Sequence, residues 1–93
     1  MQDEIYKYAI TLLGRREYSV QQLKAHLENQ FGSLPVKVIE KLIAHQYVDD
    51  HRFAETYVRK RKSWGRKRLE NELMHQGITR STVSKVIESE KWP

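Results

Sequence analysis

The stretch Tyr18-Ser19-Val20-Gln21-Gln22-Leu23-Lys24-Ala25-His26-Leu27 returns further along the chain as Trp64-Gly65-Arg66-Lys67-Arg68-Leu69-Glu70-Asn71-Glu72-Leu73. An aromatic residue, a small residue and two leucines recur at a constant offset of 46. The same offset pairs Tyr8 with Ala54 and Leu12 with Val58. Beyond these segments the offset becomes 44: Leu34 meets Ile78, Ile39 meets Val83, Leu42 meets Val86 and Ile43 meets Ile87. Self-similarity at such a period marks one supersecondary unit used twice. The change of offset predicts two extra residues in the turn that follows the second helix. We expect an all-α protein of two tandem three-helix repeats, residues 1–48 and 49–93. The repeats are expected to stack into an elongated module, each covering apolar surface that the other leaves wet.

Working outward, apolar spacing and cap residues place six helices. The first runs from about Glu4 to Leu13 with Gly14 as its stop. The second starts at Ser19, where Ser19-Val20-Gln21-Gln22 fits a capping box, and ends at Gly32. The third begins near Pro35 and turns Val36, Ile39, Leu42 and Ile43 inward, followed by Tyr47. Asp49 or Asp50 caps the fourth, whose stripe is Phe53, Ala54, Tyr57 and Val58. The fifth follows Gly65, buries Leu69 and Leu73, and stops at Gly77. Thr79 caps the sixth, which buries Val83, Val86 and Ile87. No strand-like alternation is sustained.

With 93 residues the chain has room for one compact domain or two small units. It has no cysteine, which excludes disulfides, zinc fingers and thiol chemistry together. No apolar run reaches the roughly 20 residues of a membrane helix. Met1-Gln2-Asp3-Glu4 lacks the features of a signal peptide, so a cytoplasmic protein with no membrane partner is expected. His26, His45, His51 and His75 are scattered and read as surface or cap residues rather than metal ligands. Asp49 and Asp50 are adjacent, so on a helix they face different ways and do not converge on one substrate atom. No glycine-rich phosphate loop occurs. We expect no catalytic centre, no metal and no cofactor.

The net charge is +5, and its placement matters more than its size. Arg59-Lys60-Arg61-Lys62-Ser63-Trp64-Gly65-Arg66-Lys67-Arg68 carries seven cations and no anion. Two exposed helix faces meeting at a turn would account for such a run. A polyanion-binding ridge accounts for more of it. On the fourth helix, Arg52, Arg59 and Lys62 lie near one face at i, i+7 and i+10. Arg66, Lys67 and Arg68 open the fifth helix, where cations oppose the helix dipole and local stability does not call for them. A helix start flanked by arginine is a receptor for anions. Trp64 could offer a ring to a base. Tyr18 stands at the equivalent joint of the first unit, which makes both aromatics packing anchors.

Residues 66–90 also carry a helix-turn-helix pattern. Gly77 to Ile87 reads as a turn and a recognition helix with Arg80, Ser81 and Lys85 outward. The preceding helix fits less well, with Leu73 where a small residue belongs and Glu72 and Gln76 where apolar ones do. Base-specific DNA binding therefore stays a secondary reading beside a sequence-independent basic patch.

Tyr47-Val48-Asp49-Asp50-His51-Arg52-Phe53-Ala54 resembles the Y-[LV]-D-D-x-R-F-A signature of the RecX family of recombinase regulators. Trp64-Gly65, Arg68-Leu69, Glu72-Leu73 and Gly77-Ile78 follow at that family's spacing. Arg15-Arg16-Glu17-Tyr18-Ser19 with Leu23 and Leu27 resembles its first unit. The resemblance covers essentially the whole chain. It implies a non-enzymatic regulator acting in DNA repair, homologous recombination and the SOS response. Such a protein lies along the groove of the RecA–single-stranded DNA filament and hinders strand exchange, ATP turnover or filament growth. Typical members carry a third three-helix unit, and two are recognised here. Under this reading Arg59, Lys60, Arg61, Lys62, Arg66, Lys67 and Arg68 meet the filament, helped by Arg52. Arg15 and Arg16 extend the patch from the equivalent end of the first helix. Tyr18, Trp64, Asp49, Asp50 and Phe53 are structural. A monomer with no small-molecule substrate is expected. A general nucleic-acid binder and a helical adaptor for an acidic protein remain open.

Overall fold

The structure, a computed structural model, describes residues 2–93. Six α-helices and one 3-10 turn make up its regular structure among these residues, with no strand. They are α1 (Gln2–Arg15), α2 (Val20–Phe31), α3 (Val36–Ala44), α4 (Asp50–Lys60), the 3-10 turn (Lys62–Trp64), α5 (Arg66–His75) and α6 (Arg80–Ser89). The chain divides into two compact units, Met1–Asp49 and Asp50–Pro93. Among the described residues no helix is long and apolar enough to cross a membrane.

In the first unit, α1 opens with Asp3 and Glu4 and closes with Arg15, charges that favour the two ends of the helix dipole. It runs through Gly14, which therefore does not stop it. Ser19 caps α2 as its sequence demands: its hydroxyl accepts from the Gln22 amide at 3.1 Å, and the Gln22 side chain accepts from the Ser19 amide at 3.2 Å. Gly32 ends α2 in the left-handed conformation (φ +79°), and its amide reaches the Glu28 carbonyl. The core is Ile5, Ala9, Leu12, Tyr18, Leu23, Leu27, Val38, Ile39, Leu42 and Val48.

Two expectations for the first unit need correction. The buried arc of α3 is Val38, Ile39 and Leu42, whereas Val36, Ile43 and the following Tyr47 are exposed. The reason lies on the neighbouring helix. Position 53 of the second unit is Phe53, a core residue alongside Ile87. The equivalent position of α1 is Lys7, which is exposed. Lys7 puts no apolar side chain where Phe53 stands, and Ile43 is 44% exposed where Ile87 is 4%. The extra residues of the first repeat also lie elsewhere than expected. Residues 32–35 and 76–79 form connections of equal length, and α2 is longer than α5 (12 against 10 residues). The insertion lengthens a helix, not a turn.

In the second unit, α4, α5 and α6 enclose Phe53, Ala54, Val58, Leu69, Leu73, Ile78, Val83, Val86 and Ile87, with Tyr57, Trp64, Met74 and Trp92 packed against them. Thr79 caps α6 by accepting from the Thr82 amide at 3.3 Å. Gly65 joins the 3-10 turn to α5 at φ +85°, ψ 160°, a region that side chains with a Cβ avoid. Its repeat partner Ser19 has an ordinary extended backbone (φ −72°, ψ 160°). The equivalent joints are therefore built differently: the start of α2 has a side-chain cap, and the start of α5 has none.

Candidate polyanion-binding surface

The basic segment Arg59–Arg68 spans the end of α4, the 3-10 turn and the start of α5. The α4 helix ends at Lys60, and Arg61 leaves helical geometry at φ −130°. Lys62 therefore sits in the 3-10 turn and not on an extended α4 face with Arg52 and Arg59, as the helical spacing had suggested. Folding nevertheless brings Arg59 and Lys62 to one point.

That point is Glu90, the first residue beyond α6. Arg59 Nε donates to both Glu90 carboxylate oxygens at 3.2 and 3.1 Å, and Nη2 donates to Oε2 at 3.0 Å. Lys62 Nζ lies 3.5 Å from Glu90 Oε1 and also donates to the Lys91 carbonyl. Glu55 adds a second carboxylate 3.4 Å from Arg59 and itself pairs with His51. The hydrogen bond from Arg59 holds the Glu90 carboxyl below the usual glutamate range, against the opposing effect of burial. The same bond holds the Arg59 guanidinium above its ordinary value. The segment itself contains no anion, but folding supplies one: two of its seven cations share Glu90.

The other cations line aromatic faces or stand in solvent. The Arg61 guanidinium lies 3.8 Å from the Tyr57 ring centre and 5.5 Å from that of Trp64, while its Nη1 donates to the Tyr57 carbonyl. Arg68 covers Trp64 at 3.8 Å. Lys62 and Arg66 sit over Trp92 at 5.1 and 5.3 Å, and the Trp92 indole N–H donates to the Ile87 carbonyl at 2.9 Å. Trp64 is thus half-buried against the core and layered with arginine. Each such contact contributes about 0.5–1 kcal/mol at an exposed site and fixes where the charge points. Lys60 and Lys67 are exposed, with no ion pair among the described residues. Arg66, Lys67 and Arg68 surround an α5 N-terminus with no side-chain cap, whose first amides are open to an acceptor.

Of the remaining expected site residues, Arg52 is half-buried on α4, and Arg15 and Arg16 are exposed at the end of α1 in the first unit. Arg16 stacks on the buried Tyr18 at 4.3 Å, as Arg68 stacks on Trp64. Asp49 immediately precedes α4, and Asp50 is its first residue. Arg80, Ser81 and Lys85 are exposed on α6. The four histidines are exposed, and among the described residues no cluster of ligand-type side chains could hold a metal ion. Glu90 and Trp92 were missed as members of this surface. Neither carries a local signal, because their partners lie about 30 residues earlier and meet them only in the folded unit.

The family model described as RecX, second three-helix domain, matches residues 49–87, which span α4, the 3-10 turn, α5 and most of α6. Similar proteins named Regulatory protein RecX occur in several bacteria. That of Photobacterium profundum is 39% identical over 79 residues, covering 82% of this chain and 30% of the relative. That of Cronobacter sakazakii is 38% identical over 88 residues, covering 78% of this chain and 53% of the relative. That of Thermus thermophilus is 32% identical over 89 residues, covering 94% of this chain and 63% of the relative. The chain thus spans less than two thirds of each of these relatives. No solved structure matches it. An all-helical chain built on a duplicated three-helix unit, matched by the domain model and by these regulatory proteins, belongs to the RecX family.

Proposed function

We propose that this chain associates with the RecA–single-stranded DNA filament and damps recombinase and ATPase activity, meeting the filament with the basic surface of its second unit. The observation that supports this most directly is the group Lys60, Arg61, Arg66, Lys67 and Arg68. These cations lie along the end of α4, the turn and the start of α5, and three of them, Arg61, Arg66 and Arg68, are oriented over aromatic rings. Such a surface fits a polymer of phosphates by charge and by oriented guanidinium donors. The uncapped α5 start adds backbone amides for an anion. Arg15 and Arg16 are proposed to contribute a further basic contact from the first unit.

A second reading is sequence-independent binding of bare nucleic acid, supported by the same cations. The two readings separate in one experiment. Under the first, the chain slows RecA ATP hydrolysis on single-stranded DNA, and the double variant K67E/R68E loses most of that effect. If a molar excess of the chain leaves RecA turnover and filament length unchanged, the filament reading fails. Binding to bare DNA with a log-affinity slope of about 0.7 per phosphate contact then supports the second.

A further inference from the structure

We infer that Arg59 and Lys62 form a phosphate subsite that Glu90 occupies in the unbound chain, so that single-stranded nucleic acid gains these two cations only by displacing the Glu90 carboxylate. The inference rests on the basic surface being a polyanion-binding one. It adds that this surface carries its own competitor.

Three observations carry it. First, the carboxylate is held as a bound anion is held. Both oxygens accept from Arg59, one also faces Lys62, and the Glu90 side chain is only 8% exposed. A phosphodiester presents the same pair of oxygens to a guanidinium fork. Second, the cation side of the pair is open. The Arg59 side chain is 60% exposed, so an incoming anion reaches it from solvent. Third, Glu90 lies just beyond α6, on extended backbone (φ −85°, ψ 151°). Its withdrawal breaks no turn of helix. Residues 91 and 92 are tethered by the Trp92 indole bond to Ile87 and by Lys62, which holds both the Lys91 carbonyl and the Trp92 ring.

The exchange favours nucleic acid over an acidic protein. A protein carboxylate replacing Glu90 swaps like for like, whereas a polynucleotide brings many phosphates at once and releases condensed counterions with each contact. An ion pair with so exposed a partner is weak and gives way to such a competitor.

The test is anisotropy of a short fluorescein-labelled oligothymidine with the full chain and four variants. Glu90→Gln is expected to tighten binding about fivefold, the gain from removing one weak internal competitor. Glu88→Gln, an equal charge change on the exposed face of α6, is expected to change it far less. In an Arg59→Ala background the gain from Glu90→Gln should shrink to what Lys62 alone supplies, with circular dichroism showing both Arg59→Ala proteins folded. Equal affinity of wild type and E90Q overturns the inference. So does an equal gain in E88Q, a gain that persists undiminished beside R59A, or no oligothymidine binding by any variant. Competition by polyglutamate as effective as by oligothymidine identifies an acidic protein as the occupant and also overturns it. The filament reading fails separately. If RecA turnover is unaffected while E90Q still tightens oligothymidine binding, that reading is lost and the subsite stands.

Discussion

Arg59 on α4 and Glu90 just past α6 meet through three hydrogen bonds of 3.0–3.2 Å, although 31 residues separate them in sequence. The pair joins the first and last helices of the second unit on the outside of its core. It also ties the most charged segment of the chain to a carboxylate from beyond α6.

That pairing sets a pH dependence. Arg59 lowers the folded-state pKa of Glu90, so between the folded and unfolded values the unfolded chain binds the proton more readily than the folded one. The stabilisation is complete above the unfolded value and is lost as pH falls through the depressed folded one. Melting temperatures of wild type and E90Q should therefore differ most at about pH 6–7, well above the unfolded glutamate value of about 4.3, and converge as the pH falls through the depressed folded-state value. A gap that stays constant across this range would show that Glu90 contributes no proton-linked stability.

The exposure difference between Ile43 and Ile87 predicts unequal costs at equivalent repeat positions. Ile87→Ala removes a buried side chain and should cost about 2–5 kcal/mol. Ile43→Ala removes one that is 44% exposed, and its cost should stay within about 0.5–1 kcal/mol. Urea unfolding of the two variants measures both. Equal losses would mean that Ile43 is buried.

Ser19 and Gly65 predict another asymmetry. Ser19→Ala removes the hydroxyl half of a capping box and should cost about 1 kcal/mol. Gly65→Ser would copy the first-unit residue into the second, yet it should destabilise by about 1–3 kcal/mol. The positive φ of Gly65 disfavours the Cβ whatever the hydroxyl could cap, even though the space around it is open. Stabilisation by Gly65→Ser in thermal melts would contradict this backbone.

Helix placement, the Ser19 and Thr79 caps, the Gly32 stop and the duplication could be read from the chain itself, because each depends on residues within one or two helical turns. Periodicity also identified nearly all of the core in the second unit, where every long apolar stripe finds a partner. It misjudged α3, because which arc of a helix is buried depends on the neighbour. Lys7 stands where Phe53 does in the other unit, and Ile43 is exposed where its equivalent Ile87 is buried.

The amino-acid sequence by itself determined which residues are helical, that a three-helix unit occurs twice, and that positive charge concentrates between positions 59 and 68. Only the tertiary structure decided how that charge is shared. Ion pairs and ring stacking act over a few ångströms in space regardless of distance along the chain. Thus Glu90 captures Arg59 and Lys62, Trp92 lies beneath Arg66, and Lys60 and Lys67 are left for solvent.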